Sequence, residues 1–197
     1  MREIIYMVVV LTGISLASGG LLASLRDGTQ ERIDQQVLEF VKGPSVRGVF
    51  KDAANDPIAT RFQLKDGEAV RTFFVGEIEG AFRGVALEAT GKGYKGEIGL
   101  VVAIDTQTGK VIAIEVTTHS ETPGLGAKAR TDPAFAAQFK GASVSGPAKV
   151  TQDGGTINAI SGATITSRAV AGGVSNAFAV YQRLKPQIEQ KLKEIRK

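Results

Sequence analysis

Two segments of this 197-residue chain carry side chains whose types and spacing suit chemistry. One is Asn158-Ala-Ile-Ser161-Gly162-Ala163-Thr164-Ile165-Thr166-Ser167. A serine ahead of a run with helical periodicity reads as a helix cap, which puts Thr164 in the first turn. The N–H groups of a first turn have no partner inside the helix, and the helix dipole adds partial positive charge there. Such a place suits an anion, phosphate above all. The other segment is His119-Ser-Glu-Thr-Pro-Gly-Leu-Gly-Ala-Lys128, a glycine- and proline-broken loop after a strand ending at Thr118. It carries the carboxylate of Glu121 and the ammonium of Lys128, and Gly124 and Gly126 let backbone approach a flat ring closely. Taken by themselves, the hydroxyls of the first segment are accounted for as caps and the second as a turn.

The inventory narrows the chemistry further. There is no cysteine and only one histidine, so disulfides, iron–sulfur clusters, thiolate sites and multi-histidine metal sites are excluded. Chemistry must come from a cofactor or from carboxylates and hydroxyls, with no catalytic residue of the chain's own and no metal expected. The net charge of +4 is spread out, with no basic run, so nucleic-acid binding is not expected. Gly91-Lys-Gly93-Tyr-Lys-Gly96 matches the dinucleotide pattern, but a strand follows it where that mechanism needs a helix. It reads as a glycine turn joining two strands.

The elements that must position these segments form an α+β pattern. Ile4 to Leu25 is uncharged over about 22 residues, long enough to cross a bilayer as a helix. A cleaved signal peptide, with Ala17-Ser18-Gly19 as its weak site, is the competing reading, but the apolar run is longer than such peptides use. Arg2 places the short N-terminus in the cytoplasm and the bulk of the chain outside. Small residues four apart, such as Gly13 and Ala17, suit packing against a partner helix. From Thr29 an amphipathic stretch (Ile33, Val37, Val41) runs to Gly43-Pro44, which stops it. The organisation expected is an anchor over 1–27, a membrane-proximal helix over 28–45, and one domain over 46–197.

Within that domain the spacing predicts two hairpins. Thr72–Ile78 pairs with Phe82–Ala89, and Ile98–Asp105 pairs with Lys110–Thr118 across Thr106-Gln-Thr-Gly109. Asp132-Pro133 opens a short helix over 134–139. The last helix starts at Ser161 and buries Val170, Val174, Phe178, Tyr181 and Leu184. Pro186 interrupts it, and Ile188, Leu192 and Ile195 continue on a charged helix.

Taken together, the anchor, the Gly93-Tyr-Lys-Gly96 turn, Ser120-Glu-Thr-Pro-Gly-Leu-Gly126 and Ser161-Gly-Ala-Thr164, in this order, resemble the G subunit of the Rnf electron-transport complex. They are also similar to the related C subunit of the sodium-translocating NADH:quinone reductase. The resemblance implies an FMN-binding domain of antiparallel hairpins flanked by helices. FMN would be joined through its phosphate to Thr164 by a flavin transferase that draws it from FAD, with Thr166 the nearest rival acceptor. Ser161, Gly162, Ala163, Ile165 and Thr166 would surround the attachment. Glu121, Thr122, Leu125, Gly126 and Lys128 would line the ring pocket, where the Lys128 cation would favour the reduced anion. The family usually has Asp three residues before the serine; here that residue is Asn158.

The function implied is an electron carrier in a cell-membrane complex that couples ferredoxin and NAD to sodium or proton transport, with the other complex subunits as partners and no independent catalysis. The quinone-reductase subunit, a membrane-tethered scaffold without flavin and a secreted FMN protein are the alternatives.

Overall fold

The computed structural model describes residues 1–195, and the chain divides into two compact units, Met1–Phe40 and Val41–Lys197. The first unit is the helix α1 (Arg2–Gln36) and the residues that follow it. Its Arg2–Gln30 portion is long and apolar enough to cross a membrane and buries none of its side chains within the protein. Inside a helix every backbone group in that stretch is satisfied locally, as hydrocarbon requires.

A π-helical stretch, Val37–Lys42, leads into α2 (Gly43–Val49). Gly43-Pro44 was expected to end a helix; instead Pro44 lies in the first turn of α2, where its missing N–H costs nothing.

The second unit is built on one antiparallel sheet in sequential order: β1 (Arg61–Asp66), β2 (Ala69–Ile78), β3 (Ala81–Lys92), β4 (Glu97–Asp105) and β5 (Lys110–Thr118). The two hairpins read from the sequence are β2–β3 and β4–β5, and the Gly93–Gly96 turn joins β3 to β4. Two short helices follow, α3 (Lys128–Thr131) and α4 (Pro133–Ala137). The Asp132 carboxylate accepts from Ala134 N–H at 3.0 Å to cap α4. The long helix α5 (Thr164–Ile195) closes the domain.

Strand alternation sorts the sheet into two buried faces. Phe73, Val75, Val85, Leu87, Leu100 and Val102 meet Val170, Val174, Phe178, Tyr181 and Leu184 of α5 in one core. On the other face the Phe50 ring lies over Gly76 and Gly84, where a Cβ would come within 2.7 Å of it, and Gly48 of α2 sits on Glu115. The α5 backbone comes equally close on its side. A Cβ at Gly91 of β3 would fall 1.9 Å from the Ala169 carbonyl oxygen.

Helix α5 departs from expectation at both ends. It starts at Thr164, so Ala163 rather than Ser161 precedes its first turn. It also runs unbroken through Pro186. Pro186 is on the exposed side, and the buried row Tyr181, Leu184, Ile188, Leu192 passes it without a break. Burying Ile188 and Leu192, each contributing roughly 1.5–3 kcal/mol, outweighs an interior proline's cost of about 3 kcal/mol.

Candidate functional site

The two segments singled out in the sequence meet in space. A cavity of about 490 Å³ is lined by Tyr94 from the β3–β4 turn, by Glu121, Thr122, Leu125 and Gly126 from the loop after β5, and by Gly162–Thr166 at the start of α5. Its size lies within the roughly 300–1,000 Å³ typical of cofactor sites. Ser161 and Lys128 are outside this lining; Ser161 is exposed in the turn before α5 and Lys128 is exposed on α3.

The approach to α5 is fixed by Ser167. Its Oγ accepts from Ile160 N–H at 2.9 Å and donates to the Ala163 carbonyl at 3.0 Å, with no exposure to solvent. Gly162 holds φ at +75°, a left-handed conformation that swings the chain into the helix and that side chains rarely adopt. The N–H groups of Thr164, Ile165 and Thr166 stand before the first complete turn and have no acceptor within the helix. Thr164 itself is half-buried at the cavity wall.

The two threonines of the segment differ in what holds them. Thr166 is 2% exposed, and its hydroxyl donates to Glu121 Oε2 at 2.5 Å. Glu121 Oε1 accepts from Lys95 N–H at 3.0 Å, and Glu121 N–H donates to His119 Nδ1 at 3.3 Å. Burial pushes the Glu121 carboxyl upward. The Thr166 hydroxyl and the N–H groups of Lys95 and Tyr94 outweigh that and hold it below the usual glutamate range, so it is ionised at neutral pH. Gly126 is required where it stands, since a Cβ there would fall 2.7 Å from both Glu121 Oε2 and Thr166 Oγ1.

The rim is apolar. Tyr94, Leu125 and Ile165 are 68%, 45% and 51% exposed, large apolar side chains in water that converge on one opening. Sequence reasoning picked out the turn that holds Tyr94 without assigning that residue to the site. An aromatic set inside a four-residue glycine turn was the available signal. The arrangement suits a ligand with a flat apolar body and an anionic end. The rim and the glycine backbone would take the body, and the N-terminus of α5 would take the anion.

Known proteins match this architecture. Residues 93–179, which hold every cavity-lining residue, match the FMN-binding domain family. The G subunit of the ion-translocating oxidoreductase complex of Cereibacter sphaeroides is 35% identical over 185 residues, covering 88% of this chain and 82% of that one. The corresponding protein of Methanosarcina acetivorans is 32% identical over 178 residues, covering 89% and 93%. Among solved structures, the C subunit of the Na(+)-translocating NADH-quinone reductase from Parabacteroides distasonis shares the fold. It superposes with a TM-score of 0.52 at 20% identity, covering 81% of this chain and 94% of that one. From the extent of these matches and the site they enclose, the chain belongs to the family of G subunits of the ion-translocating oxidoreductase complexes, the Rnf family.

Proposed function

We propose that this chain is the flavin-bearing electron carrier of an Rnf-type membrane complex, with FMN attached by a phosphoester to Thr164. The observation that carries the reading is the contrast between two hydroxyls. Thr166 is buried and engaged by Glu121, whereas Thr164 borders the cavity at the helix start, where a phosphate meets N–H groups that have no helical acceptor. Attachment replaces the O–H bond of Thr164 with an O–P bond. The FAD-derived FMN unit leaves its AMP, the proton is lost to solvent, and a dedicated flavin transferase supplies the catalysis. When bound, FMN supplies reversible electron storage. The N-terminus of α5 would hold its phosphate, Gly126, Leu125 and Ile165 would take its ring, and Tyr94 would add an aromatic wall.

In this reading the anchor spans the cell membrane once, with the N-terminus in the cytoplasm and the flavin domain outside. Electrons reach and leave the flavin through other subunits of a complex that couples ferredoxin and NAD to the movement of sodium ions or protons. The isolated chain catalyses nothing. Support for the topology comes from the apolar Arg2–Gln30 segment and from Arg2 at its start.

Co-expression with the flavin transferase tests the reading. The full chain is expected to give a band fluorescent under ultraviolet light on a denaturing gel, absent from Thr164→Ala and retained in Thr166→Val. Equal fluorescence in wild type and Thr164→Ala refutes the attachment.

A further inference from the structure

Among the described residues, the cavity wall holds a negative charge that no lysine or arginine bridges, with His119 the one cationic side chain that favours it. Glu121 is 6% exposed, and among the described residues no lysine or arginine pairs with it. Neutral donors hold its two oxygens: the Thr166 hydroxyl at 2.5 Å and Lys95 N–H at 3.0 Å. Glycines close the remaining space, since a Cβ at Gly93 would sit 2.6 Å from Oε1 and one at Gly126 would sit 2.7 Å from Oε2. The β3–β4 turn, the loop after β5 and the start of α5 are thus tied to one carboxylate, which cannot swing away.

Resting on the flavin reading of the cavity, we infer that Glu121 is a positioning residue that lowers the midpoint potential of the bound flavin. Its fixed negative charge in the cavity wall opposes added electrons. Two-electron reduction takes up two electrons, from dithionite in a titration and from redox partners of the complex in the membrane, and one proton from solvent. It leaves the flavin one unit more negative. A fixed carboxylate in a partly dry wall raises the free energy of that state relative to the oxidised one. Lys128, the cation that would have tuned the potential the other way, is outside the lining. Among the side chains that line the cavity, Glu121 is the charged one.

The test is a spectroelectrochemical titration of the full flavinylated chain in detergent, comparing wild type, Glu121→Gln and Glu121→Asp. Gln keeps the shape and loses the charge; Asp keeps the charge and loses a methylene. The Gln variant is expected to raise the reduced-to-oxidised ratio about tenfold at a given ambient potential, ~30 mV for a two-electron couple. The Asp variant is expected to stay near wild type. A Gln variant at the wild-type potential, or Gln and Asp variants shifted alike, overturns the inference. If the Gln variant carries no flavin, Thr166→Val decides the matter. Stripped of its hydroxyl donor, the carboxylate is expected to lower the potential further, and an unchanged potential overturns the inference. A wild-type chain without flavin refutes the flavin reading itself, a result distinct from any shift among loaded variants.

Discussion

The hydroxyl of Thr166 and the carboxylate of Glu121 meet at 2.5 Å across 45 positions of chain, and both side chains are buried. This contact joins the loop after β5 to the first turn of α5 and engages the hydroxyl of the second threonine of the segment. A hydrogen bond to an ionised group is worth about 1.5–3 kcal/mol. Thr166→Val is therefore expected to lower unfolding free energy in urea by that amount.

The same pair has a pH signature. The folded Glu121 carboxyl titrates below its ordinary value of 4.5, so its contribution to stability is fully present above that value and is lost as pH falls through the folded pKa. In Thr166→Val the folded pKa rises toward the ordinary value, so the difference between the two proteins is expected to be largest above about pH 4.5 and to shrink in more acid solution. Urea midpoints between neutral pH and about pH 3 check this. A gap that widens in acid contradicts it.

Adjacent glycines in α5 predict opposite responses. At Gly173 a Cβ would come within 2.4 Å of Leu100 Cδ1 and 3.2 Å of the β3 backbone, whereas at Gly172 nothing lies within 4 Å. Gly173→Ala is expected to destabilise by about 1–3 kcal/mol through overpacking, and Gly172→Ala to stabilise by roughly 0.5–1 kcal/mol through helix propensity. Thermal unfolding of the two variants, side by side, decides it.

Much of this was legible in the sequence, for local reasons. The β4–β5 hairpin follows directly from its apolar and β-branched residues and its Thr-Gln-Thr-Gly turn, and α4 from Asp132-Pro133. Strand β1, Arg61–Asp66, was not read, because Arg-Phe-Gln-Leu-Lys-Asp is an edge strand with one buried side chain, Leu64. Its identity comes from pairing with β2 rather than from its own pattern. Pro186 was read as a break because proline's local cost is visible in a sequence, while the packing of Ile188 and Leu192 that overrides it is not. At the site, the motifs located the loop and the helix start. That Tyr94 joins them, that Thr166 is engaged by Glu121, and that Lys128 and Ser161 are outside the lining are long-range facts set by how the sheet closes.

Tyr181 offers a test of polar burial. Its side chain is 1% exposed, its hydroxyl has no hydrogen-bond partner among the described residues, and burial with the nearby Glu189 and Asp105 charges pushes its pKa up to about 12. Tyr181→Phe removes a desolvated hydroxyl without leaving a sizeable cavity. It is expected to stabilise the domain by about 1 kcal/mol in urea unfolding. A loss of similar size would mean that a bound water serves the hydroxyl.

Asn158 is held by its backbone, not its side chain. Its N–H donates to Gln138 Oε1 at 2.7 Å, Gln138 Nε2 donates to its carbonyl at 3.3 Å, and the residue is exposed. Asn158→Asp is expected to change stability by less than about 0.5 kcal/mol. It is also expected to speed flavin incorporation at limiting transferase, because it restores the carboxylate that the related motif carries. In-gel fluorescence over time reads the rate.

The most direct test of the account is the position of the flavin mass on the chain. Trypsin releases residues 150–168 as one peptide, cut after Lys149 and Arg168, which contains both Thr164 and Thr166. Tandem mass spectrometry of this peptide from protein matured with its transferase is expected to place FMN, less one water, on Thr164. An unmodified peptide from matured protein, or fragments that carry the added mass on Thr166, would contradict it.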